Sequence, residues 1–400
     1  MKLASFLYQG KRSYGIVQAD GVIDLGRRLG DRYSDLKALL QGNGLAQATR
    51  YLNDAVDVPM SAITFLPVIE QPEKILCVGM NYADKRKEFD QHNPAPTLFV
   101  RFPDSQTGHN EPVLKPRHSS EFDYEGELAV IIGKGGENIS RDDALRHVAG
   151  YSCYMDGSAR DWQHTWFTAG KNWRKTGAFG PWMATADEIP DPHQLAIRTW
   201  LNGRMVQEDN TSSMIHKVAE LIEYISTFTR LSPGDVIITG SPGGVGKKRN
   251  PPLFMKEGDR IEVEIEHIGH LSNVIVEAPA VGMAALLGGV ELALEALAHV
   301  EHAGQSGLGG LLRGQGRALA AAAQQQRDGG LRLLGQQRRQ LAHKTRVARQ
   351  RRARGPGHVR AAGHVANKLA FLGRAHVHQQ RQPLADQLPG LARRHRAGVG

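Results

Sequence analysis

Four hundred residues allow two or three domains, and 40% apolar against 23% charged side chains suffice to build a packed core. The formal charge of +9 would ordinarily suggest a polyanionic partner, but all of it lies at one end. Residues 281–400 carry nineteen Lys and Arg against five Asp and Glu, whereas residues 1–280 carry thirty-one against thirty-six.

The first 280 residues are therefore mildly acidic, and no specific nucleic-acid partner is expected of them. Cys77 and Cys153 each sit in an apolar run, which suits buried thiols on neighbouring strands better than a disulfide or a zinc site. Residues 1–15 are broken by Gln9, Lys11 and Arg12, so they form neither a secretory signal nor a membrane span. No later run approaches the roughly 18 apolar residues a span needs. These features predict a soluble protein of the reducing cytoplasm with no membrane partner.

In chain order, residues 1–70 read as a small N-terminal α/β module. Ala4 to Tyr8 and Ser13 to Gln18 are short strands, with a hairpin turn at Gln9-Gly10-Lys11. Leu36 to Leu40 and Leu45 to Leu52 have helical spacing, and Pro67 to Pro72 reads as a linker. Residues 71–280 are rich in β-branched and aromatic runs: Ile75 to Val78, Leu98 to Arg101, Glu127 to Ile132, Ala196 to Leu201, Asp235 to Thr239 and Arg260 to Ile265. Helical periodicity is confined to Ser140 to His147 and Ser212 to Phe228. Many strands and few helices predict an α+β fold on a large mixed sheet. Ile261, Val263 and Ile265 alternate with Glu262, Glu264 and Glu266, one face buried and one wet. Residues 281–400 change character to Ala, Gly, Gln, Arg and His with Phe371 as the single aromatic. Apart from a possible helix at Met283 to Val300, this reads as a disordered basic tail, with the bias of a frameshifted GC-rich gene end.

Three segments carry chemistry. In the run from Glu121 to Gly133, Asp123, Glu125 and Glu127 fall at i, i+2 and i+4, one face of a strand. Stacked carboxylates repel, and a divalent cation with a preference for hard oxygens, Mg²⁺, Mn²⁺ or Ca²⁺, is the economical compensation. Asp156 ends an apolar strand, with Arg160 and Gln163 at i+4 and i+7 on one helical face. Arg160 offers a planar fork suited to a substrate carboxylate. Leu231 to Gly246 is a strand ending in a glycine-rich loop whose N–H groups suit an anion. It is not a Walker loop, because Ser241 and Lys248 stand where Gly and Ser or Thr are required.

Over about residues 73–278 these pieces resemble the fumarylacetoacetate hydrolase family. The matching stretches are Cys77-Val-Gly-Met-Asn-Tyr-Ala83, Asp123 to Ala129, Asp156 to Gln163, Gly170-Lys171, Asn202-Gly203-Arg204 with Gln207, Pro233 to Ile237 and Thr239 to Gly246. The resemblance implies a mixed β-sheet roll, a homodimer and one Mg²⁺ or related ion. It implies metal ligation by Glu125, Glu127 and Asp156, and substrate contacts from Tyr82, Arg160, Gln163, Lys171 and Ser241, with Lys171 also catalytic. The expected activity is hydrolysis of a C–C bond in a small 2-oxo or 1,3-dicarbonyl acid through an enolate that the ion stabilises.

One departure matters. Many members carry a His-x-x-Glu dyad in the lid, where this chain has Lys85 and Glu88. Lys85 and Glu88 at i, i+3 form no more than a surface ion pair; alternatively Glu88 alone is the base, or His92 on the same loop substitutes. This shifts weight toward decarboxylase, isomerase or hydratase chemistry on oxaloacetate or a hydroxymuconate-type acid. A non-catalytic basic binding protein, acting through Arg338 to Arg354, is the alternative from another class.

Overall fold

The computed structural model describes residues 1–280, which form one compact unit. The basic tail and the helix expected at residues 283–300 lie outside the described residues. The centre of the unit is a 12-stranded mixed sheet. Its middle strands, in spatial order, are Gly177–Thr185, Val148–Met155, Gly126–Ile132, Val236–Ile238 and Ile75–Gly79.

Gly126–Ile132 is buried along its whole length because both faces of the sheet are covered. Leu128, Val130 and Ile132 enter one core, while Ala129 and Ile131 enter the other, as the two-residue period requires. The first core lies under a 5-stranded sheet that includes Ala196–Leu201, Arg260–Ile265 and Gly269–Glu277. Its alternation is as read: Ile261, Val263 and Ile265 are buried and Glu262 and Glu264 are not. Helix Val218–Phe228 packs Leu221, Ile222 and Ile225 into the same core. It is shorter than its pattern suggested, because residues 211–213 form a separate 3-10 turn.

The N-terminal hairpin is present as Lys2–Tyr8 and Lys11–Val17, joined through Gln9 and Gly10, both at positive φ. The strands before residue 70 belong to the same sheet as those after it. Lys2 and Leu3 pair with Ala184 and Met183 of Gly177–Thr185, so the first strands extend the central sheet. The Pro67 to Pro72 stretch is not a loose linker either. Val68 and Ile69 are fully buried, and Ser5 Oγ donates to the Val68 carbonyl at 2.8 Å. Residues 140–147 supply only a 3-10 turn, Ala144–His147, where an α-helix was expected. Cys77 and Cys153 are free and buried, but two strands separate theirs.

Candidate active site

The strands Ile75–Gly79, Val148–Met155 and Val236–Ile238 run in one direction, with Gly126–Ile132 antiparallel among them. Their C-terminal ends and the N-terminal end of Gly126–Ile132 therefore meet at one edge, where the chemistry collects. The register Gly126↔Met155 sets Glu125 beside Asp156, whose N–H donates to the Glu125 carbonyl at 2.8 Å. Carboxylate oxygens of Glu125, Glu127 and Asp156 lie within 4.8 Å of one another, all three side chains buried. Asp123 is not with them. The strand breaks at Tyr124 and Glu125, and Asp123 turns to accept from Gly246 N–H at 2.8 Å, Lys247 N–H at 3.0 Å and Arg160 Nε at 2.9 Å.

Four buried cations face these four acids. Lys171, on the short helix Thr168–Lys171, donates to Asp156 Oδ2, to Glu125 Oε1 at 3.0 Å and to Ser158 Oγ at 2.7 Å. Arg101 donates to Asp156 Oδ1 at 2.6 Å and to the Gly157 carbonyl at 3.1 Å. Arg160 has Nη2 at 2.8 Å from Glu125 Oε1 and donates through Nη1 to Gln163 Oε1 at 3.4 Å. Its fork, expected to await a substrate carboxylate, lies against Asp123 and Glu125, with Nε bonded to Asp123 and Nη2 close to Glu125 without a hydrogen bond. Between Asp156 and Arg160 the chain forms a strand pair, Ser158–Ala159 against Phe122–Asp123, and the helical turn expected to carry Arg160 is the 3-10 turn Arg160–Trp162. The fourth cation is Lys85, 2% exposed on the lid helix Ala83–Phe89. Its Nζ donates to Glu125 Oε2 at 2.8 Å and Ser241 Oγ at 3.1 Å, and Ser241 Oγ donates to the same Glu125 oxygen at 2.8 Å. Lys85 thus belongs to the site, not to a surface pair with Glu88. Phe89 beside it lies 5.4 Å from Lys85, 5.9 Å from Arg160 and 4.4 Å from Lys248.

The electrostatics divide the two glutamates. Burial alone would raise the Glu125 carboxyl, but Arg160, Lys171 and Lys85 together hold it well below the usual range. Glu127 is pushed well above that range by burial and by the Asp156 and Glu125 charges. Burial pulls the Lys85 ammonium down, with Glu125 opposing; for Lys171 the Asp156 and Glu125 charges outweigh burial and raise it. Among the described residues, Glu127 accepts one hydrogen bond, from Gly240 N–H at 2.6 Å. Three buried carboxylates in mutual reach, one of them carrying its charge only at high cost, form an all-oxygen donor set that suits a divalent cation.

The glycine-rich loop does hold anions, and they are the protein's own. Gly240 N–H takes Glu127, Gly244 N–H takes Glu88 Oε1 at 2.7 Å, and Gly246 and Lys247 take Asp123. Gly240 has φ +96°, and a Cβ there would meet Asn81 Cβ at 2.8 Å and the Val78 carbonyl at 2.9 Å, so the sharp turn needs glycine. Glu88 Oε2 and Gln163 Nε2 are buried without a hydrogen-bond partner. Tyr82 is a core residue, fully buried, its hydroxyl also without a partner and its pKa well raised by burial. His92 is exposed and paired with Asp90 at 3.0 Å, not turned to the carboxylates. Sequence reading missed Arg101, Ser158 and the inward turn of Lys85. A charge directly after the apolar run Leu98 to Val100 was the available signal for Arg101.

Fold and site together define an enzyme whose mixed sheets gather a buried carboxylate triad at one edge. The chain belongs to the fumarylacetoacetate hydrolase family: residues 74–276 match the family model described as fumarylacetoacetate (FAA) hydrolase C-terminal. It is 44% identical over 226 residues to the human oxaloacetate tautomerase FAHD2A, mitochondrial, covering 55% of this chain and 71% of that one. A Xenopus laevis oxaloacetate tautomerase, fahd2, is 45% identical over 223 residues, 54% of this chain and 69% of that one. Among solved structures, fumarylacetoacetate hydrolase from psychrophilic Exiguobacterium antarcticum superposes with a TM-score of 0.60 at 34% identity. Maleylpyruvate hydrolase from Sphingobium sp. SYK-6, in complex with manganese(II) ion and pyruvate, gives a TM-score of 0.60 at 28% identity. Each covers 70% of this chain and 100% of its own. No helix among the described residues is long and apolar enough to cross a membrane.

Proposed function

We propose that this enzyme forms and redirects the enolate of a small 2-oxo dicarboxylic acid, interconverting the keto and enol forms of an oxaloacetate-like substrate without water as a reactant. The observation that carries this reading is the lid. Lys85 brings a buried ammonium to Glu125 and Ser241, and Glu88 is tied to Gly244 N–H. Keto–enol conversion moves one proton between the substrate's C3 and its enolate oxygen, and Lys85, whose ammonium burial makes more acidic, is the lid group we assign to carry it; hydrolysis requires in addition a group that takes a proton from water. The names of the relatives support the same chemistry.

A divalent cation held by Glu125, Glu127 and Asp156, Mg²⁺ in the first instance and Mn²⁺ or Ca²⁺ otherwise, would supply Lewis-acid stabilisation of the developing oxyanion. Lys171, held by Glu125 and Asp156, keeps fixed positive charge in a water-poor cleft, where it stabilises an oxyanion most, and Lys85 brings a second ammonium to the same cleft. The cations around Phe89 favour a substrate with a second carboxylate. Arg160 acts through Asp123, which in turn holds the Gly246 end of the loop. Gln163 Nε2 and the Tyr82 hydroxyl, both lacking partners, are the polar atoms we assign to substrate contact.

The test follows the ultraviolet absorbance of enol-oxaloacetate alongside pyruvate release from an acylpyruvate. We expect rapid keto–enol conversion, lost in EDTA and regained with Mg²⁺, and slow cleavage. Faster cleavage than conversion would overturn the reading in favour of C–C hydrolysis. That second reading draws on one observation, the unpartnered Oε2 of Glu88, a lid carboxylate oxygen open to a proton.

A further inference from the structure

Glu125 has its acceptor sites filled. Oε1 accepts from Lys171 Nζ at 3.0 Å, has Arg160 Nη2 at 2.8 Å, and shares the Ser158 hydroxyl proton at 3.1 Å with the Asp156 carbonyl; Oε2 accepts from Lys85 Nζ and Ser241 Oγ, each at 2.8 Å. A carboxylate offers about four lone-pair sites, so a metal ion that takes Glu125 as a ligand has to displace a donor.

These five groups differ in how firmly they are attached, and Arg160 is anchored through Nε to Asp123. Ser158 follows Asp156 and its two-residue strand pairs with Phe122–Asp123. Lys171 is held by Asp156 and Ser158 as well as by Glu125. Ser241 lies in a loop pinned to Glu127 and Asp123 through Gly240, Gly246 and Lys247. Lys85 rides a seven-residue helix whose N-cap, Tyr82, provides no side-chain cap. That helix is tied to the rest of the molecule by few polar contacts: Arg86 Nε to the Met80 carbonyl at 2.8 Å, Arg86 Nη2 to His216 Nε2 at 3.1 Å, and Glu88 to Gly244. An ammonium and a metal cation sharing one carboxylate oxygen also repel each other at close range in a medium that screens poorly.

We infer that Lys85 and a divalent cation are alternative partners of Glu125 Oε2, so that cation binding frees Lys85, loosens the helix Ala83–Phe89 and is itself weakened by Lys85. The inference rests on Glu125 being a metal ligand. It makes the lid responsive to metal before any substrate arrives.

The experiment uses the full chain with Mn²⁺ alone. Calorimetric titration compares the wild type with Lys85→Met and Lys85→Gln, and hydrogen exchange follows residues 83–89 with and without the ion. Coupling between two such events typically amounts to about 5- to 150-fold in affinity, so both variants should bind Mn²⁺ about tenfold or more tightly than the wild type. Mn²⁺ should speed exchange across residues 83–89 in the wild type and leave it unchanged in the variants, whose lid already exchanges fast. Equal or weaker binding in both variants overturns the inference, as does wild-type lid exchange that ignores Mn²⁺; either result leaves the metal centre standing. Failure of Mn²⁺ to bind any of the three proteins overturns the metal centre and this inference with it. Should Lys85→Met not fold, Lys85→Gln, which keeps a polar end for Ser241, decides the comparison.

Discussion

Two walls close the carboxylate cleft, and they are built on different principles. The loop from Gly240 to Lys247 is held by backbone N–H groups on two buried carboxylates outside the lid, Glu127 and Asp123, with a further contact from Gly244 to Glu88 of the lid itself. The lid helix Ala83–Phe89 is held at the site by side chains, chiefly Lys85. Backbone contacts to buried acids fix a shape, since losing one strands a charge away from water. A side-chain tether can be exchanged for another partner. The enzyme therefore has one wall that defines the cleft and one that can respond to what enters it.

The most severe way to break this contrast is Glu127→Ala, which removes both a proposed metal ligand and the acceptor of Gly240 N–H. Mn²⁺ binding and turnover should both fall below detection, and unchanged affinity by calorimetry would refute the ligand assignment. Next in size is Asp123→Ala. It leaves Arg160 and two loop N–H groups without their shared acceptor, so denaturant unfolding should show a loss of about 3–5 kcal/mol. Glu88→Gln touches the lid and sharpens the functional reading. Keto–enol conversion should drop less than about tenfold, against the roughly 10² to 10⁴ expected if Glu88 activated water. Lys85→His, which restores the usual lid residue, should raise acylpyruvate cleavage at the expense of conversion; the ratio of the two rates is the readout.

Smaller effects lie away from both walls. Burial and then the His270 charge pull His109 from 6.5 to about 4, and its Nδ1 accepts the Ser272 N–H at 3.0 Å, a role only the neutral ring can fill. The unfolded chain binds a proton below about pH 6.5 that the native ring refuses until about pH 4. Stability from this group is therefore complete above pH 6.5 and is lost as pH falls toward 4, by about 1–3 kcal/mol in all. Melting temperatures across that interval should flatten in His109→Gln. Truncation after Ala280 should have the least effect, with melting temperature and turnover unchanged and the isoelectric point below neutrality. A loss of activity would make residues 281–400 part of the enzyme.

The strands were legible because alternation is local: Ala196–Leu201 and Arg260–Ile265 match their expected bounds, and the hairpin turn at Gln9-Gly10 falls where expected. The triad was legible through the family resemblance, since strand spacing alone grouped Glu125 and Glu127 with Asp123 and not with Asp156. What escaped depended on contacts distant in the chain. Asp123 shares the spacing of Glu125 and Glu127, but the loop that captures it lies more than a hundred residues away. Lys85 reads as a surface residue until the helix is set against Glu125. Arg101 enters the site only because Asp156 and Thr176 converge on it. The Pro67 to Pro72 stretch looked like a linker because prolines break local patterns, which says nothing of what Val68 and Ile69 pack against.

The pairing of Gly126 with Met155 carries a consequence for how the protein can be handled. Glu125 and Asp156 are neighbours only because two antiparallel strands meet in that one alignment. A slip by a single residue would turn every side chain of Gly126–Ile132 to the opposite face and separate the acids. A slipped pairing would keep its strand content, so circular dichroism would barely detect it. Stoichiometric uptake of a divalent ion would therefore serve as a count of correctly threaded molecules, independent of any substrate, in material recovered from inclusion bodies.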